Sequence, residues 1–325
     1  MIVVVFLVMM LILFTIWDNN RIIVVEQKIE IDDLSLELDG FTILQVTDLH
    51  EKEFGHNQSK LIEKINGIEY DAIVFTGDML ETGNTTDFHP FYSLIEGIDQ
   101  KEHGLFVPGN SDPKPYLLHR EIPYEMHEFM KGMEERGIQP LESIYTIERG
   151  SVNIHFVEFE LSLLEVEDNL QEIEKLFDAD HDQSYYDYLT HQHELLKDMR
   201  NLDSLGKNDV LIALYHYPLA DQKIDHLIRD PNMNLRNFDL ILAGHYHGGQ
   251  IRLPFVGALF VPEPYMKRNG LFPPQDRVKG LWEHRGIQQY VSAGLGSSNA
   301  IPFLNFRFLN PPEINVITLR RKPSS

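Results

Sequence analysis

A chain of 325 residues with 43% apolar side chains and a net charge of −22 is long enough to bury a sizeable core and carries no sign of disorder or collagen-like repetition. Its 50 acidic against 28 basic residues leave no basic stripe, so no nucleic acid is expected as an extended partner, and a small anionic substrate needs something local, such as divalent cations, to invert the charge. With no cysteine, disulfides, thiolate nucleophiles and thiolate zinc sites are excluded, while the compartment stays open.

Residues 1–17, MIVVVFLVMMLILFTIW, contain no charged side chain. As a helix they span about 25 Å, against a hydrocarbon core of about 30 Å, which local thinning accommodates. Trp17 would then sit at the interface. The run lacks the amphipathic face of a core helix. It also lacks the basic n-region and small-residue cleavage site of a signal peptide. The expectation is an uncleaved transmembrane anchor over 1–17, followed by one domain over 18–325. Only Arg21 and Lys28 flank the segment, so they orient it weakly.

Residues 22–37 alternate apolar and charged positions, predicting an opening strand or hairpin. Five short apolar runs follow, each ending in metal-capable residues: 41–46 before TDLH, 72–75 before TGD, 105–107 before PGN, 210–214 before YH, and 240–243 before GHYH. Runs of this length suit strands buried on both faces. Leu61, Ile62, Ile65 and Ile68 mark one helix between them, and Phe129, Met130 and Met133 another that stops before Gly137. Alternating strands and helices predict an α/β fold, in which ligands gather beyond the carboxyl ends of the strands. Residues 161–206 read as a helical insertion, with Val166, Leu170, Ile173 and Phe177 on one face and a second helix over 185–202; a surface hairpin and a lid fit equally. The segments 288–293 and 314–319 predict two closing strands, the second after Pro311 and Pro312.

The polar clusters define a candidate site. Asp48 and His50 stand two residues apart and share a face in extended backbone. Asp78 follows Gly77 and can bridge two cations; Asn110 follows Gly109 and offers a neutral oxygen. His216 follows a strand, and His245 and His247 are bracketed by glycines. Singly, each piece reads as a turn, a cap or a structural histidine. Jointly, two carboxylates, one amide and four imidazoles suit Mn²⁺, Fe or Zn²⁺ better than Mg²⁺ or Ca²⁺, and seven ligands are too many for one tetrahedral ion. A pair of cations about 3.5–4 Å apart can bind a phosphoryl group and activate water for in-line attack.

VTDLH, TGD, VPGN, GHYHGGQIRLP and FLNPPEINVITL together resemble the calcineurin-like metallophosphoesterases, over most of residues 41–319, and within them a bacterial membrane-associated branch. The resemblance implies two facing mixed β-sheets flanked by helices. It implies that Asp48, His50 and His247 hold one metal, that Asp78 bridges, and that Asn110, His216 and His245 hold the other. It implies hydrolysis of a phosphomonoester, phosphodiester or pyrophosphate bond in a phosphorylated small molecule or lipid-linked substrate at a membrane, with the domain on the outer face by analogy with exported relatives. Asn110, His216 and Arg252 are the expected substrate contacts.

The family's usual GN-His-Asp/Glu reads Gly109-Asn110-Ser111-Asp112 here. Serine cannot replace an imidazolium as a proton donor near pH 7. Either the leaving group is good or the proton comes from elsewhere, with His56, His89 and His119 as candidates. A metal-binding scaffold with weak or lost catalysis is the competing reading. The 152–160 strand also lacks the Gly and Asp that often follow it in relatives.

Overall fold

The computed structural model describes residues 1–119, 123–299 and 303–322. The first sheet has the order β1 (Ile23–Ile31), β14 (Glu313–Arg321), β2 (Thr42–Val46), β3 (Ala72–Phe75), β4 (Gly104–Phe106) and β5 (Gln139–Pro140). From β2 to β5 it is parallel, while β14 runs antiparallel to β2 and parallel to β1. The second sheet has the order β12 (Gly280–His284), β13 (Ile287–Val291), β9 (Leu240–Ala243), β8 (Val210–Leu214), β7 (Val152–Glu158) and β6 (Ile144–Arg149). Its four central strands are parallel and its edges antiparallel. A short ribbon joins β10 (Arg252–Leu253) to β11 (Gly257–Ala258).

Period-two alternation builds the layers. Ile43, Val74 and Leu105 of the first sheet meet Ile154, Ile212 and Leu242 of the second in a shared inner core. Leu44, Ile73 and Phe106 face outward, onto α2 (Ser59–Asn66), α3 (His89–Gly97) and α4 (Glu128–Glu134). Val157, Leu211 and Ile241 face the other way. They pack with α5 (Phe159–Ser162), α6 (Val166–Phe177), α7 (Gln183–Met199) and α8 (Asp221–Arg229). Two mixed sheets face to face with helices outside them are the expected architecture.

Three local features refine or add to the expectations. Within residues 22–37, Ile23–Ile31 form an edge strand, one of the two expected forms; the chain then turns at Asp33, whose φ is +57°, and Leu34 and Leu38 tuck into the inner core. Helices α3 and α8 and edge strand β12 were not anticipated. In β12, LWEH mixes charged and aromatic residues and pairs on one side only, with β13. The 161–206 segment forms the hairpin α6–α7, whose Val166, Leu170, Leu196 and Met199 complete the outer core of the second sheet.

Helix α1 (Ile2–Asn19) has a mean hydropathy of 2.4 and is long and apolar enough to cross a membrane by length and composition. Its end is attached to the domain. Asn19 donates its side-chain amide to the Arg307 carbonyl at 2.6 Å and accepts the Arg307 N–H at 2.8 Å. Lys52 caps the Asn19 carbonyl at 2.5 Å.

Candidate metal centre

The strands β2, β3, β8 and β9 deliver their carboxyl ends to one place. Asp48, His50, Asp78 and His247 form one group of buried side chains, and Asp78, His216 and His245 form a second, with ligand atoms in each group within 4.8 Å of one another. Asp78 is common to both. Its Oδ2 lies 3.3 Å from His216 Nε2 and 3.5 Å from His50 Nε2, while His247 Nε2 stands 3.6 Å from Asp48 Oδ1. Asn110 lies with Asp78 and His245 on the wall of the adjoining cavity.

Tight backbone turns bring these groups together. Asp48, His50, Asp78, His245 and His247 all have positive φ, between +47° and +67°. Such left-handed conformations cost a non-glycine residue about 1–2 kcal/mol each and collect at functional sites. Gly77, at φ +88°, lets two loops close over one another: a Cβ there would stand 2.5 Å from the Gly109 nitrogen and 2.7 Å from His216 Nδ1. Asp112 ties the same loops together, accepting backbone N–H groups of Asp78, Met79, Leu80 and Gly109 at 2.7–3.1 Å.

The ligating atoms are aimed by their neighbours. Thr47 donates to Asp48 Oδ2 at 3.0 Å, and the Ser111 N–H donates to Asp78 Oδ1 at 2.7 Å. His216 Nδ1 donates to the Thr76 carbonyl at 2.8 Å, which turns Nε2 toward His245 Nδ1, 3.1 Å away. The His245 ring also bonds the Pro262 carbonyl. Only a proton or a cation fits between two nitrogens held in this way.

Electrostatics agree with a cation site. Burial pushes His50 down to about 4 and His245 down to about 3, and it holds His247 well below the usual imidazole range, leaving neutral rings with free lone pairs. Burial raises Asp48 to about 7, so nearby positive charge is needed to keep it ionised at neutral pH. For His216, burial is outweighed by Asp78 and Asp48, which raise it to about 9; Asp78 is held low, since His216 and His50 outweigh its burial. Both ring nitrogens of His50 and Nδ1 of His247 are buried without a hydrogen-bond partner among the described residues. Two carboxylates and four imidazoles, two of the rings with unpaired nitrogens, fit a pair of divalent cations. Chelators are therefore expected to lower the melting temperature of metal-loaded protein, and Mn²⁺ to restore it, by about 2.7 kcal/mol at a hundredfold excess over Kd. Identical melting curves with and without a chelator would show that the cluster holds no cation.

Other anticipated residues lie elsewhere. Arg252 donates to the Gly248 carbonyl at 2.8 Å and to Gln275 at 3.4 Å, bracing its own loop. His89 pairs with Asn57 and Ser93 at the start of α3. His56 begins a short 3-10 turn and His119 is exposed; neither belongs to the two ligand groups. Sequence reasoning missed Tyr217, whose ring packs 5.0 Å from His216 and 4.8 Å from His245 and lines the cavity. It also missed Arg307, fully buried beneath His247. Adjacency to His216 pointed to the tyrosine; no local pattern marks the arginine.

The calcineurin-like phosphoesterase family matches residues 41–249. The chain is 27% identical over 285 residues to the uncharacterized metallophosphoesterase YkuE of Bacillus subtilis, covering 87% of this chain and 80% of that protein. It is 24% identical to a second uncharacterized metallophosphoesterase of that organism, YkoQ, covering 84% and 81%. It is also 24% identical to the UDP-2,3-diacylglucosamine pyrophosphatase LpxG of Chlamydia muridarum, covering 88% and 85%.

Proposed function

The chain belongs to the calcineurin-like phosphoesterase family, hydrolases that act on phosphate esters through a dinuclear metal centre, and from that premise we propose that it cleaves a phosphomonoester, phosphodiester or pyrophosphate bond at a membrane surface. The observation that carries this reading is the pair of ligand groups sharing Asp78. In this reading Asp48, His50 and His247 would hold one cation and Asn110, His216 and His245 the other, with Asp78 shared between them. Mn²⁺, Fe and Zn²⁺ suit the donor set. The bound pair would supply Lewis-acid charge for the phosphoryl oxygens and an activated water. That positive charge would offset the local acidity where the anion reacts.

The chain's own groups do the rest. Thr47 and the His245 N–H orient Asp48, and the Ser111 N–H holds Asp78. Tyr217, kept protonated by burial and by Asp78, can donate a hydrogen bond at the cavity wall. Ser111 leaves proton delivery to the departing oxygen weak, which favours substrates with good leaving groups. The Chlamydia muridarum relative is a pyrophosphatase, and a phosphate is such a leaving group. Helix α1 supports a membrane anchor; the outer face is our reading by analogy with exported relatives.

The test is hydrolysis of bis-p-nitrophenyl phosphate and p-nitrophenyl phosphate with Mn²⁺. Wild type is expected to turn over the diester. Ser111→His is expected to raise turnover of poorer leaving groups by about 10²-fold, the lower range of general-acid catalysis. A wild type that binds two metals but is silent until Ser111→His restores turnover would favour the scaffold reading. Silence in both proteins would refute the hydrolase reading.

A further inference from the structure

Between α1 and the loops after β9 and β13 lies a cavity of about 1350 Å³ that opens onto the ligand cluster. Small-ligand sites usually enclose about 300–1,000 Å³, so this one exceeds what a small phosphate ester needs. Its lining joins two chemistries: Asp78, Asn110, Tyr217 and His245 belong to or adjoin the ligand cluster, while Leu11, Ile12 and Ile16 of α1 and Phe260, Phe272 and Phe308 of the loops are apolar. Asp78 is the one Asp, Glu, Lys or Arg on the wall among the described residues. A nucleotide or sugar phosphate would meet no Lys or Arg on this wall, whereas an alkyl chain would lose only water against its apolar side chains.

We propose that the cavity is the acyl-chain site of a phosphate-bearing membrane lipid, with the phosphate at Asp78 and His245 and the chain lying between α1 and the aromatic loops. This rests on the phosphoesterase reading and adds the substrate class. The source of the lipid is the bilayer, because one wall of the cavity is α1, the helix whose length and composition suit a membrane anchor. The Asn19–Arg307 and Lys52–Asn19 hydrogen bonds hold that helix against the domain, so the wall has a fixed position. The cavity-lining loops also carry Phe255 and Phe303, both fully exposed; aromatic side chains in such positions suit the headgroup level of a bilayer. In the reaction, the oxygen of water bonds to phosphorus and the phosphorus–oxygen bond to the leaving group breaks. One proton of the water remains on the phosphate product and the other passes to the departing oxygen.

The experiment uses the full chain in phosphatidylcholine vesicles. Hexadecyl p-nitrophenyl phosphate is expected to exceed ethyl p-nitrophenyl phosphate in kcat/KM by about 100-fold, the effect of burying roughly three to four methylenes. Phe272→Asp, at a side chain already 59% exposed and so compatible with folding, is expected to cut that preference at least tenfold. Partition of the longer ester into the vesicle is the same for both proteins. Independently of turnover, a phosphatidic acid with a diazirine at its acyl terminus should label Phe260 and Phe308 in wild type and lose that labelling in Phe272→Asp, with labelling of α1 retained. Hydrolysis of bis-p-nitrophenyl phosphate without chain preference, and labelling confined to α1, would overturn the lipid site and leave the phosphoesterase reading intact. Labelling of the two phenylalanines in a protein that hydrolyses nothing would keep the lipid site and overturn the phosphoesterase.

Discussion

Asp78→Asn is expected to lower kcat/KM for bis-p-nitrophenyl phosphate by at least about 10³-fold, corresponding to roughly 4 kcal/mol of lost transition-state stabilisation. The substitution removes the one carboxylate shared by both ligand groups. It also removes the charge that raises His216 to about 9. An amide at this position can still accept the Ser111 N–H, which now meets Asp78 Oδ1 at 2.7 Å, so the fold should persist. Metal content per chain is the discriminating measurement: it should fall from two toward one, with circular dichroism unchanged. Full activity with two metals retained would show that Asp78 does not span the pair.

Arg307→Lys is expected to destabilise the protein by about 3–5 kcal/mol, the scale for breaking a buried charged network. The guanidinium is entirely enclosed and serves several carbonyl groups. Nε donates to Asn310 at 2.8 Å, Nη1 to Gly296 at 2.7 Å, and Nη2 to Ala293 at 2.7 Å and His247 at 3.3 Å. A lysine has three donors on a flexible stem and cannot reproduce a planar fork, so buried carbonyls lose partners. Because one of those carbonyls belongs to His247, metal affinity should also fall by about 10–100-fold, as for other residues that orient a ligand. Thermal unfolding and metal titration check both effects. A melting temperature within about 1 °C of wild type, against the several degrees that such a loss implies, would show that the pocket adapts to lysine.

The layered fold and most of the site were legible because they are written locally. An apolar run of three to six residues followed by a carboxylate, amide or imidazole marks each of these strand ends. Five such runs place Asp48, Asp78, Asn110, His216 and His245 at neighbouring carboxyl ends once the strands are parallel. Family resemblance then proposed a division of the ligands between two cations; six of the seven residues gather in two groups that share Asp78, and Asn110 lines the adjoining cavity. The edge of each sheet was less legible. Strand β12 and the single strand β1 are decided by pairing on one side, and a half-paired strand tolerates charged residues that blur its pattern.

By itself, then, the amino-acid order determined the α/β class, the acidic and cysteine-free character, the apolar helix at the start and the identity of the metal-capable residues. Only the tertiary structure decided that Asp48, His50, Asp78, His245 and His247 turn through left-handed backbone. It alone set the Tyr217 ring against two of the histidines and joined α1 to Arg307, across 288 residues. It also opened an apolar cavity between that helix and the ligand cluster. The physical reason is one of range. Hydrophobic period and turn chemistry act over a few residues and can be read along the chain. Strained dihedrals, buried hydrogen-bond networks and cavities depend on groups far apart in sequence, which meet only after the sheets have packed.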